Sequence, residues 1–236
     1  MASLSHYFDQ LFFIALPYVA FFTFFLVTIT RYVTRTFTYS SLSSQFLENR
    51  QHFWGLVPFH YGILVVLTGH MVAFLIPREI LWWNSRPLRL YVLEISALIF
   101  GMLTLVGLAA LMVRRFTVSK IKMVTSVLDW HVLGLLLLQM VTGVAVALHY
   151  PWGSSWFATS AAPYLWSILS LNPDVTYIAA MPWLVKLHII NAYVVIGIFP
   201  FTRLVHILVV PNPYLWRKPQ VVRWYRRPGA VSGQRA

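Results

Sequence analysis

Along this chain the hydrophobic positions come in long unbroken runs rather than in alternation with polar ones. A hydrocarbon core of ~30 Å needs about 20 apolar residues in a helix. Five runs meet that length, at about 11–30, 53–76, 90–113, 124–148 and 183–210. Barrel strands would alternate apolar with polar residues, so the runs predict helices. The fifth is long for one crossing and contains Pro200, which predicts a kink or an extension beyond the bilayer. The expectation is an all-α integral membrane protein: one five-transmembrane-helix bundle over residues 1–236, with 211–236 as a basic tail.

Composition supports the same reading. Of 236 residues, 59% are hydrophobic and 10% charged, whereas a soluble domain carries about 25% charged residues. A soluble fold of this size has too little polar surface to cover that apolar content. The formal net charge of +12 raises the question of nucleic acid. The cations, however, fall mainly in alternate connections. Arg31, Arg35 and Arg50 lie in 31–52; Arg114, Arg115, Lys120 and Lys122 in 114–123; six more follow residue 210. The other side holds only Arg78, Arg86 and Arg89. Thirteen against three follows the positive-inside rule, with the N-terminus outside and the C-terminus cytoplasmic. Lipid, not nucleic acid, is the expected surface, and the tail can lie on anionic headgroups or dock on a soluble partner. The segment Met1–Asp9 has no Lys or Arg and lacks the n-region of a signal peptide, so the first run is expected to remain as a helix. The 150–182 connection is rich in Trp, Tyr and Pro; an interfacial aromatic belt is the simpler expectation, a lid over a site the other.

There is no cysteine, which excludes disulfides, thiolate metal sites and cysteine-ligated clusters in this chain. Histidine is then the main ligand available. Six of eight histidines lie in or at the ends of three runs: His60 and His70, His131 and His149, His188 and His206. Ionisable residues inside a membrane are rare and usually functional. Bis-histidine haem b needs two imidazoles from facing helices, and two stacked haems need two histidines per helix at two depths. His60 and His70 are separated by about 15 Å of helical rise, and His188 and His206 by about 27 Å if the helix is straight. His131 and His149 have the latter spacing too, so spacing does not choose between the fourth and fifth helices. His149 sits beside Tyr150 and Pro151 at headgroup level, which mildly favours the fifth. Gly62 and Gly69 flank the second-helix pair and would admit either a macrocycle or another helix. Arg114, Arg115, Lys186 and Arg203 are candidate partners for haem propionates, with topogenic charge or snorkelling as the other reading. A haem-free anchor and a proton-coupled transporter are the alternatives; against the transporter, Glu94 and Asp129 are the only carboxylates in the runs.

These segments resemble a known family. The stretch FHYGILVVLTGHMVAFLIP (59–77) is similar to the second-helix motif of the gamma subunit of respiratory membrane-bound nitrate reductase, a di-haem cytochrome b. LHIINAYVVIGIFPFTRLVHILVVPNPYL (187–215) is similar to its fifth helix, and SSQFLE (43–48) and YLWRKPQVVR (214–223) also match; residues 78–185 match mainly in hydropathy. The resemblance implies two non-covalent haems b. His60 and His206 would bind the one nearer the cytoplasm, and His70 and His188 the outer one; His131 and His149 would be bystanders. It implies quinol oxidation beside the outer haem, near Gly69. It also implies electron delivery to an iron–sulfur beta subunit and a molybdenum alpha subunit on the cytoplasmic side of a prokaryotic inner membrane. The family has a lysine in or after the outer loop following the second helix. Here that region reads NSRPLRLYV (84–92), leaving Arg86 or Arg89 as substitutes of different hydrogen-bonding geometry. An anchor for another molybdenum enzyme, or one running toward quinone reduction, fits the same residues.

Overall fold

In a computed structural model, residues 4–35, 38–39, 47 and 50–209 are described. The tail and most of 43–48 lie outside them. The described residues contain no strand. Five helices are long and apolar enough to cross a membrane. They are α1 (His6–Thr34), α2 (Gln51–Leu75), α3 (Pro87–Thr117), α4 (Val127–His149) and α5, whose regular part is Trp183–Ile198. Their outward faces are broadly exposed and apolar, as lipid contact requires.

The spans pack in an open series. α2 packs on α3, α3 on α4, α4 on α5 and α5 on α1, while no close-packed seam joins α2 to α5 among the described residues. Glycine sets the tightest contact. A Cβ on Gly62 would overlap Thr104 Oγ1, and one on Gly107 would overlap the Phe59 backbone, so α2 and α3 touch backbone to backbone. Gly62 therefore serves helix packing, the second of its two readings.

Prolines open the backbone ladder, and other elements close it. Pro17 has no N–H for the carbonyl one turn earlier. A π turn, Leu11–Ala15, precedes it, and the Tyr164 hydroxyl donates to the Phe13 carbonyl at 2.8 Å. Pro200 ends α5 in a short 3-10 turn, Phe199–Phe201. Thr202 is extended, and its hydroxyl oxygen accepts from Leu204 N to start a second 3-10 segment, Arg203–Leu208. Arg31 of α1 donates one Nη1 to the carbonyls of Pro200 (2.6 Å) and Thr202 (3.1 Å). Its Nε and Nη2 go to Thr38. The kink expected at Pro200 is thus a break, held by a guanidinium from another helix.

The 150–182 connection keeps Trp152 and Trp166 exposed, as a belt would, and also folds onto the bundle. It forms short helices at Gly153–Trp156, Ala162–Leu169 and Thr176–Ala179, with a π turn at Phe157–Ala161. Ala158, Ala161, Ala162, Tyr164, Ile168 and Ile178 are buried. Tyr164, Ile168 and Ile178 share one core with Phe13, Ala20 and Tyr193 of α1 and α5. Trp166 stacks on Phe74 at 4.9 Å and donates to its carbonyl. The Glu94 carboxylate accepts from the backbone N–H groups of Gly153 and Ser154, at the start of the first short helix. These contacts make the segment a folded cap over one end of the bundle.

Loss of the Arg31 guanidinium should be felt as loss of the break. Arg31→Ala leaves two carbonyls at membrane depth without their donor, a cost of about 1–3 kcal/mol per group left unsatisfied. A lower thermal midpoint in detergent than for Thr34→Ala, an exposed control on the same helix, is the expected result; equal midpoints would remove Arg31 from this role.

Candidate functional site

The intramembrane histidines show one recurring local device. The Nδ1 of His60, His70, His131 and His149 lies 2.8–2.9 Å from the carbonyl four residues earlier, at Leu56, Val66, Val127 and Ala145. His206, on a tighter 3-10 segment, reaches back three residues to the Arg203 carbonyl at 2.6 Å. A carbonyl only accepts, so Nδ1 carries the proton and Nε2 keeps its lone pair. That is the tautomer a metal-ligating imidazole needs.

His188 is held differently. Its Nδ1 lies 3.0 Å from Thr142 Oγ1 on α4, and Gln139 Nε2 lies 3.3 Å from Nδ1 and 3.1 Å from Nε2. Gln139 Oε1 accepts in turn from Asn191 Nδ2 of α5 at 2.7 Å. Gly143 makes room for the ring, since a Cβ there would stand 2.9 Å from His188 Cε1. His70 and His188 lie within electrostatic reach of one another although α2 and α5 share no packed seam. Phe157 of the cap meets His70 edge-on at 5.6 Å. A Cβ on Gly69, by contrast, would meet nothing within 4 Å, so the backbone beside His70 borders open space. The described bonds of His131 and His149 stay within α4.

The expected propionate partners divide. Arg203 Nη2 is 2.8 Å from Asp129 Oδ2, and Arg115 donates to Thr125 Oγ1 while lying within electrostatic reach of Asp129, Arg203 and Arg114. Arg114 is almost wholly buried. Arg203 and Arg115 both lie within electrostatic reach of the Asp129 carboxylate, and Arg203 is three residues from His206, which gathers cationic side chains beside that histidine. Lys186 is at the capped end and ion-paired to Asp9 at 2.9 Å. Arg89 lies over the Trp82 ring at 4.6 Å and donates to the Trp82 carbonyl and Ser85 Oγ. Arg86 is exposed where α3 begins.

Among the described residues, no three His, Cys, Asp or Glu side chains converge as a metal cage. Axial ligation by two imidazoles needs no such cluster, and a planar group needs what is present: histidines from helices without a packed seam, with Nδ1 hydrogen-bonded. At His188 the Gln139 amide must give up its contact with Nε2 for a metal to bind there. The donor set therefore fits two-imidazole haem ligation. Sequence reasoning missed Thr142, Gln139 and Asn191; their signal was polarity inside apolar spans.

Residues 9–225 match the family model described as nitrate reductase gamma subunit. The chain belongs to that family. It is 33% identical over 211 residues to the nitrate reductase gamma chain of Bacillus subtilis (strain 168), covering 88% of this chain and 95% of that one. It is 29% identical to the respiratory nitrate reductase 2 gamma chain of Escherichia coli (strain K12), covering 92% and 97%. Family membership and the five apolar helices make it a membrane-anchor subunit of a nitrate reductase, an oxidoreductase complex with further subunits.

Asp129 does two jobs at the basic end. It completes a capping box with Ser126 and balances Arg203. Replacing it with Ala removes both, for about 3 kcal/mol or more by the cost of a broken buried pair and a lost cap. Asp129→Asn keeps an acceptor for the Ser126 N–H and should cost less. Thermal unfolding of the two variants in detergent gives the order; a reversed order would discard the role of the charge and cap together.

Proposed function

We propose that this gamma-family chain is the quinol-oxidising, di-haem b subunit of its nitrate reductase. Two non-covalent b-type haems, held by His70 with His188 and by His60 with His206, would supply one-electron transfer across the bilayer. The observation that carries the reading is that His70 and His188 stand within electrostatic reach of one another on helices with no packed seam between them, each with a hydrogen bond at Nδ1.

The chain's own residues define the rest of the proposal. The capped end is the outer face, and the end bearing Arg114, Arg115 and Arg203 is cytoplasmic, in line with the distribution of cations. That orientation puts His70 and His188 at the outer level and His60 and His206 at the inner one. The three arginines neutralise propionates near His206, while Lys186, occupied by Asp9, steadies α5 against α1 beside His188. Quinol enters beside Gly69, where the backbone borders open space, with Phe157 of the cap edge-on to His70. Arg86, exposed near the mouth, favours the deprotonating quinol electrostatically. Arg89 is the weaker candidate because Trp82, Trp83 and Ser85 already engage it. Protons released there leave on the outer side. The iron–sulfur and molybdenum subunits sit on the cytoplasmic face of a prokaryotic inner membrane, and the 211–236 tail, outside the described residues, docks toward them.

Pyridine haemochrome analysis of the purified complex should give about two haems per chain, one for each bis-imidazole pair. His70→Ala and His188→Ala should remove the same haem, and His60→Ala and His206→Ala the other. His131→Ala should leave both spectra intact. Loss of a haem in His131→Ala but not in His188→Ala would move the ligands to α4.

Quinol-driven haem reduction tests the mouth separately. It should slow in Arg86→Ala and change less in Arg89→Ala. Unchanged kinetics in both would exclude the arginines from the quinol site, and an inhibitor that perturbs only the His60 haem would shift the site to the cytoplasmic side.

A further inference from the structure

His188 is the exception among the four candidate ligands. His60, His70 and His206 direct Nδ1 to a carbonyl of their own helical segment. His188 turns Nδ1 to a hydroxyl on a neighbouring helix. The hydroxyl's own hydrogen is already engaged: Thr142 Oγ1 donates to the Leu138 carbonyl at 2.7 Å, with the Gln139 carbonyl at 3.2 Å. The oxygen that faces His188 is therefore an acceptor, and Nδ1 must be the donor. Gln139 touches both ring nitrogens and does not discriminate between them. Thr142 does.

The surroundings make this contact hard to replace. Thr142 and Asn191 are each 3% exposed. Asn191, three residues beyond His188, ties α5 to α4 through Leu135 O (3.0 Å) and Gln139 Oε1. Gly143 lets α4 approach the ring to a distance that a Cβ would block. The ring is thus lodged against α4, where Thr142 Oγ1 is the side-chain acceptor at Nδ1 and the Gln139 backbone also engages the ring.

We propose that Thr142 is a positioning residue for the His188 ligand: by accepting the Nδ1 proton it selects the tautomer whose Nε2 binds iron, and it raises the basicity of that nitrogen. The proposal rests on the reading of His188 as a haem ligand. A ligand whose distal N–H is hydrogen-bonded donates more strongly to the metal, and a hydroxyl polarised by its own donated bond is a better acceptor. A more basic imidazole stabilises the ferric state, so losing the acceptor raises the midpoint potential of that one haem.

The experiment is a redox titration of the assembled complex, followed optically and by EPR, in Thr142→Val and Thr142→Ser, with His188→Ala to mark which haem is concerned. Thr142→Val has nearly the same volume and no acceptor. It should raise the ferrous-to-ferric ratio of the His188 haem about tenfold at a fixed potential, about 59 mV for one electron, and change that haem's EPR signal alone. Thr142→Ser should restore both. Thr142→Ala, which cannot overpack, provides the same test if the Val variant does not assemble. Wild-type potentials in the Val and Ala variants would overturn the proposal and leave Thr142 as packing. An equal shift in the Ser variant would do so too, because the methyl and not the hydroxyl would be responsible. Retention of both haems in His188→Ala would overturn the ligand reading itself, a failure distinct from either of these.

Discussion

Hydrocarbon contains no water, so each polar group at membrane depth must find its partner inside the protein. Much of this structure follows from that constraint. It demands helices in the first place. It then demands a solution wherever proline interrupts one. At Pro17 the solution is a tyrosine hydroxyl from the cap, and at Pro200 it is the Arg31 guanidinium. It also governs the histidines, whose Nδ1 protons are absorbed by carbonyls or by Thr142. An imidazole satisfied on one nitrogen is affordable in lipid and leaves the other nitrogen available for chemistry.

The separation of α2 from α5 has an equally physical origin. Glycines bring α2 and α3 into backbone contact, and a polar seam of Gln139, Thr142, His188 and Asn191 joins α4 to α5. With α3 packed on α4, α2 and α5 stand at either side of that pair with no close-packed seam between them. The Pro200 break then changes the course of α5, so that His206 lies on a 3-10 segment instead of continuing the straight helix. The two ends differ in character. One carries a folded apolar cap; the other carries Arg203 and Arg115 at Asp129.

The number of spans and their helical type were legible in the sequence, because a run of apolar residues long enough to cross a bilayer has few other uses. The lack of cysteine and the three pairs of intramembrane histidines were also legible, and they narrowed the chemistry to imidazole. The FH and LH segments carried the family, because they hold residue order as well as hydropathy. Tertiary structure alone decided the rest. Gly62 and Gly69 look alike in sequence, yet one is filled by Thr104 and the other borders open space, since only packing determines what lies opposite a missing Cβ. Lys186 and Arg203 both stand beside a histidine, but their nearest carboxylates, Asp9 and Asp129, belong to other helices. The aromatic 150–182 stretch reads as a belt because composition reports affinity for an interface; only the fold shows that Tyr164, Ile168 and Ile178 turn inward as a cap while Trp152 and Trp166 stay exposed. Thr142 and Arg31 gave no periodic signal, because a single hydrogen-bonding group acquires its role from a partner 46 or 169 residues away.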